Sequence, residues 1–172
     1  MKRAIEQDRT PNLILLHYEP RIWKVLNLLL IPRFAFSMSA VEKRKPTLPK
    51  GRHSPWVGCT IVLTNIPPSA RISLIEHGRA RDPGLVRKEY FRLKPIAEVN
   101  TKLRGWTLDV LNLVQSLKTK EFHLSDAYAF EGNLARLHPG NRHVRDKIRQ
   151  QLQLLRDMHL LEFLDRGSYR LR

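Results

Sequence analysis

Asn141-Arg-His-Val-Arg-Asp-Lys-Ile-Arg-Gln-Gln-Leu-Gln-Leu-Leu-Arg-Asp-Met158 is followed closely by Leu161-Glu-Phe-Leu-Asp-Arg-Gly-Ser-Tyr-Arg-Leu171, and these two stretches decide the fold. At about 100° per residue, Val144, Ile148, Leu152 and Leu155 fall within roughly 80° of one another and mark the buried side of a helix. Asn141 stands where it can cap that helix, just after the break at Pro139-Gly140. The second stretch reads as two short strands joined by Asp165-Arg-Gly-Ser168, a β-hairpin. Upstream, Trp106, Val110, Leu113 and Leu117 recur at helical spacing and predict an amphipathic helix over 107–118. Ser125 caps a predicted second helix whose inward positions are Ala127, Phe130, Leu134 and Leu137. Three helices and a hairpin make the winged variant of the helix-turn-helix, whose third helix enters the major groove of DNA.

The side of that third helix opposite the apolar stripe carries Arg142, Asp146, Arg149, Gln150 and Gln153. Arginine can grip guanine O6 and N7, and glutamine can pair with adenine N6 and N7, so this face suits base edges. Asn141 and Arg142 lie at the helix start, where free N–H groups favour a phosphate. His143 and Arg145 complete the polar set assigned to DNA binding. A merely solvated face is the alternative, and the hairpin that follows favours DNA. Gln151 falls among the apolar positions and is read as a structural hydrogen-bonding residue.

Charge points the same way. The 172 residues hold 31 Lys and Arg against 16 Asp and Glu, a net charge of +15. Residues 1–104 hold 20 basic and 8 acidic side chains (+12), and residues 105–172 hold 11 and 8 (+3). Phosphate neutralisation is the usual use of such an excess. The single cysteine, Cys59, excludes an intrachain disulfide and a Cys-rich zinc site within the chain, and fits a reducing, cytoplasmic setting. The histidines show no metal-ligand spacing. The residues after Met1-Lys2-Arg3 lack the apolar core of a signal peptide, and Val25 to Ile31 stops at Pro32, far short of the roughly 20 residues of a membrane span. No membrane partner is expected.

Four apolar runs bounded by turn signals, Asn12–Tyr18, Trp23–Ile31, Gly58–Leu63 and Arg71–Glu76, suit strands buried on both faces, with few helices between them. Glu42 to Trp56, with five Lys or Arg, one acid and three prolines, reads as an extended loop. Its Lys43, Arg44, Lys45 and Arg52 are candidate DNA contacts. Beside the strand at Cys59, Trp56 can be a core residue. The expected class is α+β: a sheet domain over 1–104, then a winged helix-turn-helix domain over 105–172.

Arg44-Lys-Pro46, Trp56-Val-Gly-Cys59, Arg81-Asp-Pro83, Arg104-Gly-Trp-Thr107 and Lys147-Ile-Arg-Gln-Gln-Leu-Gln-Leu-Leu-Arg-Asp157 resemble the DpnI-like family. These are the methyl-directed type II restriction endonucleases, or Dam-replacing proteins, and the likeness runs from about Lys2 to Tyr169. The resemblance implies a PD-(D/E)XK nuclease domain followed by a winged helix, both contacting double-stranded DNA at GATC sites with N6-methylated adenine. It implies that Trp56 meets the methylated base. Mg²⁺ for cleavage and a structural zinc ion are implied for a preceding segment that holds the catalytic Asp and Glu-x-Lys, and this sequence is expected to start after that segment. None of the 16 acidic residues has a lysine two positions on, Glu42-Lys-Arg44 being the nearest approach. The chain is therefore expected to carry no catalytic residue or cofactor of its own and to bind DNA without cutting it. One alternative is a subunit of an active endonuclease whose catalytic segment is a separate polypeptide, which an upstream reading frame with that motif would reveal. The other is a general nucleic-acid-binding protein indifferent to methylation.

Overall fold

The computed structural model describes residues 1–47 and 56–172, so Arg52 lies outside the described residues. The helix α1 (Lys2–Glu6) leads into a hairpin of β1 (Leu13–Glu19) and β2 (Lys24–Ile31). Next, β3 (Val41–Lys43) and β4 (Cys59–Ile61) pair only with each other, as a two-stranded ribbon. The chain then returns through β5 (Ile72–Glu76) and β6 (Arg79–Ala80), giving an antiparallel sheet of order β1-β2-β5-β6. His77 and Gly78, with φ of 49° and 76°, form the tight β5–β6 turn, whose twist matches the flanking strands.

Burial on both faces of these strands does not hold. Leu13 and Leu15 pack on the core, whereas Ile14 and Leu16 are 57% and 60% exposed. This is the alternation of an antiparallel strand covered on one side. Trp23, in the β1–β2 turn at φ 51°, is 86% exposed.

The expectation of few helices before residue 105 also needs correction. The helix α2 (Pro83–Leu93) opens on Asp82, whose carboxylate accepts the Leu85 N–H at 2.8 Å, with Pro83 in the first turn. Arg81 donates to both carboxylate oxygens of Glu89 at 2.7 and 2.9 Å, tying the β5–β6 hairpin to this helix. Those bonds hold the Glu89 carboxyl below the usual carboxylate range. Their contribution to stability is thus present at neutral pH and lost as pH falls through the lowered value.

The helix α3 (Thr101–Ser116) starts before the predicted Thr107, because Asn100 caps it by accepting the Lys102 N–H. The expected division at 104/105 runs inside it. One side of α3 holds the N-terminal half: Gln115 donates to Ser69 Oγ at 2.9 Å, and Arg104 meets Asp8 at 2.5 Å and the Val99 carbonyl. The remaining elements are β7 (Glu121–His123), α4 (Leu124–Tyr128), α5 (Glu131–Leu137), α6 (Val144–Asp157), β8 (Leu161–Phe163) and β9 (Ser168–Leu171). The single helix predicted from Ser125 is two, broken at Ala129-Phe130. It is capped by His123, not Ser125, through a reciprocal bond with Asp126. The predicted hairpin gains a third strand, in the order β7-β9-β8. The architecture is α+β, and one apolar cluster runs from Ile31 and Phe34 through Leu108 and Leu111 to Ile148, Leu152 and Tyr169.

Candidate nucleic-acid interface

The apolar stripe of α6 is buried as its periodicity requires: Val144, Ile148, Leu152 and Leu155 face α3 and the small sheet. Gln151 is fully buried among them, and its Oε1 accepts from Thr107 Oγ1 at 2.8 Å, which fixes how α6 is rotated against α3. Arg142, His143, Arg145, Asp146, Arg149, Gln150 and Gln153 are all exposed, and Asn141 is half-buried. Asn141 does not cap the helix. Its Oδ1 accepts the His143 N–H at 2.7 Å, closing a turn, and α6 starts only at Val144.

Two arginines on the exposed face are anchored from the preceding helices. Arg149 Nε donates to the Tyr128 hydroxyl, and the Arg149 guanidinium carbon lies 5.6 Å from the centre of that ring. The Arg145 guanidinium carbon stands 5.3 Å from the same ring, and its Nε donates to Glu131 Oε2 at 2.7 Å. Sequence reasoning missed Tyr128 and Glu131, because no local pattern shows which residues of α4 and α5 face α6.

The hairpin β8–β9 projects beside α6. Its tip turns through Arg166 and Gly167 at φ 43° and 87°. The tip is braced from β7: His123 Nε2 lies 3.1 Å from the Arg166 carbonyl, while Nδ1 accepts the Ser125 N–H at 3.3 Å. The neutral imidazole must therefore carry its proton on Nε2 and donate it to that carbonyl. A Cβ at Gly167 would stand 3.3 Å from the same Nε2, so the close approach favours glycine there twice over.

A second basic surface lies on the β3–β4 ribbon. Lys43, Arg44 and Lys45 are exposed, and Thr47 and Trp56 exchange backbone hydrogen bonds of 2.9 and 2.8 Å. Trp56 is 52% exposed, which rules out the core reading. Its indole folds back over Gly58, where a Cβ would come within 2.8 Å of the ring and 3.4 Å of Arg44 Cδ. These residues border an open depression of about 480 Å³, with Glu42 and Thr60 on its rim. The surface combines cations with one anchored aromatic.

Among the described residues, no three His, Cys, Asp or Glu side chains come together. The buried carboxylate of Asp109 is occupied by Ser39 Oγ at 2.6 Å and by His138 Nε2 at 2.8 Å, with the His138 ring stacked on Trp106. The described residues thus supply no carboxylate set that fits the Mg²⁺ implied by the resemblance. None of the helices described is long and apolar enough to cross a membrane.

Comparison with known families matches residues 1–99 to the Dam-replacing family and residues 102–171 to the Dam-replacing HTH domain. The gap between the two matches falls at the start of α3.

Proposed function

We propose, from the premise that this chain belongs to the Dam-replacing family, that it binds double-stranded DNA and prefers GATC sites carrying N6-methyladenine. One observation carries the reading: α6 of the HTH domain buries its apolar side completely and presents an arginine- and glutamine-bearing face beside a braced hairpin. The Lys43-Arg44-Lys45 ribbon supplies phosphate contacts, and Trp56 offers the methyl group a flat apolar surface. The sheet domain is read as part of a PD-(D/E)XK nuclease-like fold that contributes to holding the duplex. A second reading, cleavage by carboxylates on a separate polypeptide, draws support from the uncovered outer side of β1 at Ile14, Leu16 and Tyr18.

Titrating methylated, unmethylated and random duplexes at several salt concentrations tests the proposal. The methylated GATC duplex is expected to bind tightest, and log affinity to fall with log salt by about 0.9 per phosphate neutralised. Equal affinity for all three duplexes would leave general nucleic-acid binding, and a flat salt response would show that the +12 of residues 1–104 faces solvent.

Trp56→Ala is expected to narrow the gap between methylated and unmethylated duplexes without lowering the unfolding midpoint, since the ring is half exposed. Gly58→Ala should do the same in weaker form, because its Cβ displaces the indole. A full gap in both variants would remove Trp56 from methyl recognition.

A further inference from the structure

We propose that Tyr128 and Glu131 are positioning residues that hold Arg149 and Arg145 by their Nε atoms and leave the terminal nitrogens of both forks free to meet DNA. This deepens the reading of α6 as the helix that meets DNA, and rests on it. A guanidinium offers two edges for paired hydrogen bonds: a side edge, Nε with one terminal nitrogen, and an end edge, the two terminal nitrogens. The Tyr128 hydroxyl accepts from Arg149 Nε, and Glu131 Oε2 accepts from Arg145 Nε at 2.7 Å. Both bonds consume the side edge. The end edge that remains still presents two parallel donors, enough to pair with guanine O6 and N7 or with two phosphate oxygens.

The arrangement also explains how two cations tolerate one site. Arg145 and Arg149 are one turn apart on α6, where like charges repel. The electron-rich face of Tyr128 lies 5.3 and 5.6 Å from their guanidinium carbons, and the Glu131 carboxylate offsets one charge. Lys147, between them in sequence, turns instead to Gln150 Oε1 at 2.7 Å. An arginine tethered before DNA arrives has already lost the side-chain freedom that a loose one loses on binding.

The test uses Tyr128→Phe, Tyr128→Leu, Arg149→Ala and the pair Tyr128→Phe with Arg149→Ala, titrated against methylated GATC and random duplexes. Tyr128→Phe keeps the ring and removes the acceptor. It is expected to weaken binding to the preferred duplex about three- to tenfold, with little change on random duplex and an unchanged unfolding midpoint. Tyr128→Leu, which loses the ring as well, should weaken it further. In the Arg149→Ala background, Tyr128→Phe should cost nothing more. In the free protein, the Arg149 Nε–H should exchange slowly with water, and Tyr128→Phe should abolish that protection. If Arg149→Ala lowers affinity but Tyr128→Phe binds like the parent, or Nε–H exchange is already fast, the inference falls and the reading of α6 stands. If Arg149→Ala leaves both affinities unchanged, both fall.

Discussion

Arg149→Ala is expected to lower affinity for the methylated GATC duplex by about 1–3 kcal/mol and affinity for random duplex far less, as the loss of a bidentate base contact does. The four buried apolar residues of α6 leave Arg149 no direction but outward, where its side chain hydrogen-bonds the Tyr128 hydroxyl and lies near that ring. The substitution strips no core packing, so the unfolding midpoint should hold. Titration against two DNAs at two salt concentrations reads the result. Equal weakening on both duplexes, with the log–log salt slope reduced by about one, would reassign Arg149 to a phosphate.

Leu152→Ala is expected to destabilise the whole chain by about 2–5 kcal/mol, from lost transfer energy and the cavity left behind. That is a large share of the roughly 5–15 kcal/mol that holds a typical domain together. Leu152 is fully buried, and its cluster continues through Leu108 and Leu111 of α3 into the N-terminal half. Urea unfolding should therefore move as one transition, followed equally by probes in both halves. Two separated transitions, with the N-terminal half unmoved, would show that α3 does not join the halves into one cooperative unit. Binding should weaken on every duplex alike, unlike the response to Arg149→Ala.

The third helix of the HTH domain could be read from sequence because four aliphatic residues repeat at its natural period and nothing contradicts them. Even Gln151, polar within that stripe, followed from its angle. The helix α2 could not be read, since Leu85 and Phe91 are exposed and blur the apolar side formed by Val86, Tyr90 and Leu93. Only Asp82-Pro83 announced it, and a start signal without a period is weak evidence. On β1, every second apolar residue faces outward, a distinction that hydropathy alone does not make. The strand β7 is three residues long, too short for alternation to register. The outward set on α6 was predictable from helical geometry, whereas the anchoring of two of its arginines depends on side chains from other helices. Trp56 resisted assignment because a tryptophan beside a strand suits core and surface equally. Its indole lies over Gly58 and is still half exposed.

The buried bond between Thr107 and Gln151 has a consequence for how this sequence can change over generations. Thr107 Oγ1 lies within reach of two acceptors, Gln151 Oε1 at 2.8 Å and the Leu103 carbonyl of its own helix at 3.0 Å. A lineage that replaces Gln151 with an aliphatic residue still leaves the threonine hydroxyl a partner. A lineage that loses Thr107 first strands an amide oxygen in the core, at a cost of about 1–3 kcal/mol. Exchange of the pair is therefore cheaper in one order, with the glutamine replaced while the threonine remains and the threonine afterwards.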